Sequence, residues 1–303
     1  MSRSFNKHIY IFLIPAAVLT FIFMYLPMVG ILMAFEDYNI FSGSGPMNAI
    51  LVGPWVGFDN FRQIFADPYF WNVFMNTLQI SFLKIVCNFW IPIGLAILLN
   101  EIIVLRLKKV IQTIIYLPHF LSWVIVSGIW LTMFGGAGLI NSVLVNIGFI
   151  KEPFDFLLTG LPFQIILIIS DAWKEMGWSA IIYLAAITSI DYQLYEAIKI
   201  DGGNKLNEIF SITIPGIFPT IVMMFILRLS SVMDAGFDQI FNMYNPYVYE
   251  WADVISTYVY RLGMTQMQYS QAATIGLFNS VIAFVLVVTA NSLARRLTGR
   301  SIW

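Results

Sequence analysis

The chain has 303 residues, of which 59% are hydrophobic, 16% aromatic and only 11% charged. A soluble domain carries about 25% charged residues, so this composition points to lipid as the solvent. Sixteen Lys and Arg against seventeen Asp and Glu leave a net charge of -1, without the basic surplus that nucleic-acid binding needs. The single cysteine, Cys87, excludes an internal disulfide and a Cys-cluster metal site, and two histidines exclude an all-His site. Cys87 lies in an apolar run and reads as a small buried side chain.

The first apolar run follows Arg3 and Lys7 and lasts about 25 residues, longer than the roughly 7–15 of a signal peptide, with no small-residue cleavage site after it. It reads as a retained membrane span. A bilayer core takes about 20 apolar residues as helix. Six stretches qualify: 9–35, 72–99, 110–134, 161–189, 217–241 and 271–294. The fold class expected is all-α and polytopic, a single transmembrane domain over 1–303.

The segments between these spans fall alternately on two sides. One side collects Arg3, Lys7, Arg106, Lys108, Lys109, Lys199, Lys205, Arg295, Arg296 and Arg300. The other has Arg62, Lys151 and Arg261 against eight carboxylates, among them Asp59, Asp67, Glu250 and Asp253. Positive charge stays cytoplasmic, so both termini and the segment 190–216 are expected in the cytosol. The outer segments are aromatic, with Trp55, Phe58, Tyr69 and Trp71 before the second span and Tyr247, Tyr249 and Trp251 before the sixth. Such rings suit either an interfacial belt or a docking surface for an extracellular partner.

Segment 190–216 is charged and hinged between two apolar spans. "DYQLYEAIKI" has helix formers behind Asp191, which can cap its start. Asp201-Gly202-Gly203 ends that helix, because Gly takes left-handed dihedrals without steric cost. Asn204 can cap a second helix carrying Leu206, Ile209, Phe210 and Thr213 on one stripe, and Pro215 and Pro219 mark entry into the fifth span. This stretch resembles the EAA loop of permease subunits in binding-protein-dependent ABC importers. That pattern reads Glu-Ala-Ala, then Asp-Gly, then Ile-x-Leu-Pro ten residues after the Gly. Here it is Glu196-Ala197-Ile198, Asp201-Gly202 and Ile212-Thr213-Ile214-Pro215, departing at Ile198, Gly203 and Ile214.

Length, six spans and an aromatic carboxy-terminal half are similar to the sugar-type permeases of the type I importers. The resemblance implies that the loop is a coupling helix, with Glu196, Ala197, Asp201 and Gly202 making or shaping contact with a cytosolic ATPase dimer. It also implies a second homologous permease, an extracytoplasmic solute-binding protein, an oligosaccharide cargo and a prokaryotic inner membrane. ATP and Mg would sit on the partner ATPase. The chain itself has no G-x-x-x-x-G-K-[ST], no cofactor motif and no catalytic constellation, so it is expected not to be an enzyme.

Charges inside a membrane cost roughly 2.5–3.5 kcal/mol each on insertion scales and mark candidate function. Lys84, Lys174 and Arg228 fall near mid-span. Asp171, Lys174 and Glu175 share one helix face. One reading is mutual neutralisation, Lys174 with Asp171 and Arg228 with a carboxylate of the fourth span. The other is a polar path of Trp123, Asp171, Trp173, Lys174, Glu175, Arg228, Ser231, Asp234 and Asp238, whose donors, acceptors and rings suit sugars. The cations would suit an acidic saccharide, although four acids against three bases do not require one. His119, beside Pro118, reads as a packing residue. The alternative to an importer is an ion-coupled secondary sugar transporter using the Asp171–Lys174–Glu175 face.

Overall fold

The computed structural model describes residues 2–42, 45–229 and 231–298; Arg300 lies outside them. Two compact units form, one from 1–70 with 258–278 and the other from 71–257 with 279–303. Among the described residues the only β pairing is an isolated bridge between Glu36 and Trp55.

In the first unit, α1 (Ser2–Thr20) runs on through a wide π turn, Phe21–Tyr25, and a tight 3-10 stretch, Leu26–Phe35. Short helices α2 (Pro46–Val52) and α3 (Asp59–Ala66) follow. Phe35 is wrapped by Trp55, Phe58 and Phe61, each 5.4–5.5 Å away between ring centres. Beside it, Asn60 donates to the carbonyls of Ala34 (3.1 Å) and Glu36 (3.0 Å), which also accept from Thr274 and Ser270. Truncation by Asn60→Ala removes two buried bonds but leaves those two partners in place. The expected loss is about 2 kcal/mol, read as a lower melting temperature of the detergent-solubilised protein.

The second unit contains most of α4 (Pro68–Glu101), then α5 (Leu105–Tyr116), α6 (Trp123–Phe134), α7 (Leu139–Asn146) and α8 (Gly160–Thr188). An elbow of α9 (Tyr192–Ile200) and α10 (Lys205–Glu208) leads through a π turn, Ile209–Thr213, into α11 (Ile214–Leu229). After a non-helical turn come α12 (Phe237–Met243), α13 (Tyr249–Ala252), α14 (Ile255–Tyr260) and α15 (Tyr269–Thr298), the last two belonging in part to the first unit.

Among the described residues, five stretches are long and apolar enough to cross a membrane: Tyr10–Phe35, Pro68–Glu101, Trp123–Asn146, Lys205–Leu229 and Tyr269–Ser292. Helix α8 has the length of a sixth at 29 residues, but Asp171, Lys174 and Glu175 lower its hydropathy. Two expected spans are not continuous helices. The span placed at 110–134 is α5, a 3-10 turn Leu117–Phe120 and α6, broken where Pro118 cannot donate to the helix ladder. The span placed at 217–241 stops at Leu229 and resumes at Phe237, so Ser231, Asp234 and Asp238 do not continue the helix of Arg228. Cys87 is half-buried.

Helices α4, α8 and the α11–α12 pair each contribute to two apolar cores, with polar residues between them. One core holds Ile80, Phe163, Ile166, Leu167, Ile240 and Met243. The other holds Ile93, Ala96, Ala180, Tyr183, Leu184, Ile217, Ile221 and Met224. The intervening residues, 81–88, 171–179 and 228–239, carry the intramembrane charges. Burying these two cores fixes the three elements against one another and sets the polar segments at a common level.

Candidate functional site

Within that polar layer lies a cavity of about 190 Å³. Its walls are Ser81, Lys84, Ile85 and Asn88 from α4, Trp123 from α6, Asp171 and Glu175 from α8, Arg228 from α11, and Ser231, Val232, Asp234, Ala235 and Gly236 from the turn. Of the nine residues expected along a polar path, Trp123, Asp171, Glu175, Arg228, Ser231 and Asp234 line it. Lys174, Trp173 and Asp238 do not. Trp173 lies against Trp130, 6.2 Å between ring centres, and Asp238 is exposed in the first turn of α12.

The charges pair across helices rather than along them. Asp171 accepts from Asn88 at 2.6 Å and lies 3.7 Å from the Lys84 ammonium, so α4 occupies the carboxylate that the sequence reading paired with Lys174. Lys174 instead donates to the His119 carbonyl (2.8 Å), lies 3.4 Å from Glu175 and sits over the Trp123 ring at 5.3 Å. The second Glu175 oxygen is 3.1 Å from His119 Nδ1, and that imidazole stacks on Trp178 at 4.8 Å. His119 is thus a bonded wall of the charge layer as well as a packing residue. Arg228 donates to Ser179 Oγ at 3.1 Å and, among the described residues, has no carboxylate within ion-pair distance, contrary to the pairing expected with α8. Lys174 is buried, and Lys174→Met removes its bond to the His119 carbonyl and one of the two partners of the half-buried Glu175, leaving His119 beside the carboxylate. A loss of about 2 kcal/mol is expected, seen as a lower melting temperature rather than as a selective loss of cargo affinity.

Sequence reasoning marks Lys84 as a mid-span charge but does not gather it with Ser81 and Asn88 into the polar path. Ser81, Lys84 and Asn88 stand at i, i+3 and i+7, one face of a helix, inside an otherwise apolar span. That polar stripe was available as a signal. Ser81 Oγ and Asn88 Oδ1 are buried with no hydrogen-bond partner among the described residues. Orphaned groups of this kind on a cavity wall suit a hydroxyl-rich ligand or ordered water.

The elbow folds as its caps predict. Asp191 accepts from the Gln193 amide (3.0 Å), and Asn204 from that of Asn207 (3.0 Å). Gly202 has φ +76°, while the amides of Gly202 and Gly203 close back on the Lys199 (3.1 Å) and Ile198 (2.8 Å) carbonyls. Glu196, Ala197, Asp201 and Gly202 are all exposed, as is Ile200 at 86%. The Leu206 to Thr213 stripe is only partly inward: Thr213 is buried and bonded to the Tyr195 hydroxyl, whereas Leu206 and Phe210 are exposed. Lys205 joins buried Glu208 and the end of α4 at Glu101, both at 2.9 Å. The elbow is thereby a folded knob with an open apolar and acidic crest.

No family model matches the chain. It is 40% identical over 96% of its length, and 88% of the relative's, to the polygalacturonan/rhamnogalacturonan transport system permease protein YteP of Bacillus subtilis. It is 38% identical to Protein LplB of the same organism, covering 96% of this chain and 89% of that one. Among solved structures, a chain of a bacterial ABC transporter involved in the import of the acidic polysaccharide alginate superposes with a TM-score of 0.89. The two chains share 40% identity, and 97% of each is covered. The all-α fold is that of an ABC importer permease. The chain is a multi-pass membrane protein and belongs to the family of ABC-transporter permeases.

Proposed function

We propose that this permease is the transmembrane subunit of an ATP-driven importer for an acidic oligosaccharide, working by alternating access within one permease domain. An extracytoplasmic binding protein delivers the cargo, and a second homologous permease completes the passage. The elbow, with Glu196, Ala197, Asp201 and Gly202, docks on a cytosolic ATPase dimer that holds ATP and Mg. Both termini face the cytoplasm of a prokaryote.

The cavity carries this reading. Lys84 offsets Asp171, and Lys174 with His119 occupies Glu175. Arg228 is then the wall cation left to meet an anion, while Ser81, Asn88 and Asp234 offer hydrogen-bonding atoms for hydroxyls. A uronate-type sugar presents that combination, and the Trp123 ring suits the apolar face of a pyranose. Transport of polygalacturonan by the system of a 40% identical relative agrees with it.

Uptake of a labelled galacturonate oligomer by cells of the source organism, with and without the gene for this chain, tests the reading. Uptake is expected to vanish with the gene, to stop on ATP depletion and to survive collapse of ion gradients at constant ATP. Loss of uptake on gradient collapse alone would identify a secondary transporter instead.

A further inference from the structure

Between α11 and α12 the chain leaves the helix inside the polar layer, and Ala235 (φ +53°) and Gly236 (φ +86°) are both left-handed. Backbone groups released at membrane depth need polar partners, because lipid supplies none. The partner here is Lys84. Its ammonium donates to the Ala235 carbonyl at 2.8 Å and to Gln239 Oε1, and its remaining side faces Asp171 at 3.7 Å. Gln239, fully buried, donates onward to the Leu167 carbonyl and Ser170 Oγ of α8, both at 2.7 Å. The fit is close: a Cβ on Gly236 would stand 2.9 Å from the Lys84 nitrogen.

A lysine has three hydrogens to donate, and these three directions leave none for cargo. Beyond the turn, α12 sits in the core of Ile80, Phe163 and Leu167. Before it, α11 packs in the other core and continues directly from the elbow. We propose that Lys84 is a positioning residue, the strut that pins the turn to α4 and α8 and makes it the fulcrum on which α11 rocks. This rests on the reading of the elbow as the driven element. It assigns Lys84 to the moving parts rather than to cargo recognition.

The test uses the full chain in membranes, with Cys87→Ala and Ser231→Cys placing one thiol on the turn, and measures its rate of labelling by N-ethylmaleimide without sugar or ATP. The double variant Lys84→Met/Asp171→Asn removes both charges together, so no buried charge is stranded. Labelling is expected to quicken about 10-fold in it, because the turn is released. Lys84→Arg, which keeps charge and donors, should stay within about twofold of the parent. A thiol at Thr132→Cys on α6 should be unaffected in every variant. Unchanged labelling at the turn in the double variant would overturn the strut, as would equal quickening at Thr132→Cys, which signals general loosening. Should the double variant fail to accumulate, Lys84→Leu/Asp171→Asn removes the same two charges with a different apolar side chain, and the same two outcomes decide. Because labelling needs neither partner nor cargo, it can fail while the uptake assay succeeds, and the reverse.

Discussion

Gly202→Pro is expected to abolish retention of the ATPase by the tagged chain and to bring sugar uptake to background. The amount of chain extracted from membranes should stay near normal. The elbow places Gly202 at φ +76°, and proline is held near -65° and lacks the amide that bonds the Lys199 carbonyl. The substitution therefore redirects the chain between α9 and α10 at the crest where Glu196, Ala197 and Asp201 are displayed. Helices α8 and α11 keep their shared core, so insertion should survive. Charge reversal by Glu196→Lys or Asp201→Lys is the milder form, leaving the knob folded and uncoupling hydrolysis from uptake. Normal ATPase retention by Gly202→Pro would show that the elbow is not the docking element.

Uptake of an acidic oligosaccharide should fall about 10- to 100-fold in Arg228→Met. A charge-assisted hydrogen bond in a partly dry site contributes about 1.5–3 kcal/mol, and 1.4 kcal/mol is a factor of ten. Arg228 is half-buried on the cavity wall with Ser179 as its bonded neighbour, so its removal strands no carboxylate and the variant should accumulate normally. Arg228→Lys should recover part of the rate, since it keeps the charge and loses the planar fork. A neutral saccharide, if transported at all, should be affected less than twofold. Equal losses for neutral and acidic cargo would place Arg228 in the scaffold and remove the argument for an anionic substrate.

Several features were legible from residues alone because they depend on local chemistry. Asp191 and Asn204 cap the helices they precede, and Gly202 is left-handed where the helix must end. The breaks at 117–122 and 231–236 fall inside stretches expected to be continuous spans, although Pro118 and Gly236 stand at them. Hydropathy does not register them, since Leu117, Leu121, Val232, Met233 and Ala235 keep those stretches apolar. A broken helix in lipid also needs an external partner for its freed carbonyls. That partner, Lys84, lies about 150 residues away in the chain.

Ion pairing failed for a related reason. Spacing placed Asp171 and Lys174 on one face, which is correct, but a shared face does not make a pair. Lys84 and Asn88 claim Asp171 from across the layer, and the His119 carbonyl and Glu175 take Lys174.

The amino-acid sequence by itself determined the solvent, the helical class, the capped and glycine-hinged elbow at 190–216 and the presence of charges inside apolar spans. Each follows from composition or from neighbours a few positions apart. The tertiary structure alone decided which charges neutralise one another, that a cavity lies among them, and that Arg228 faces it with no carboxylate among the described residues within ion-pair distance. Those outcomes depend on how helices are rotated and set against each other by the two apolar cores. No local pattern encodes that rotation.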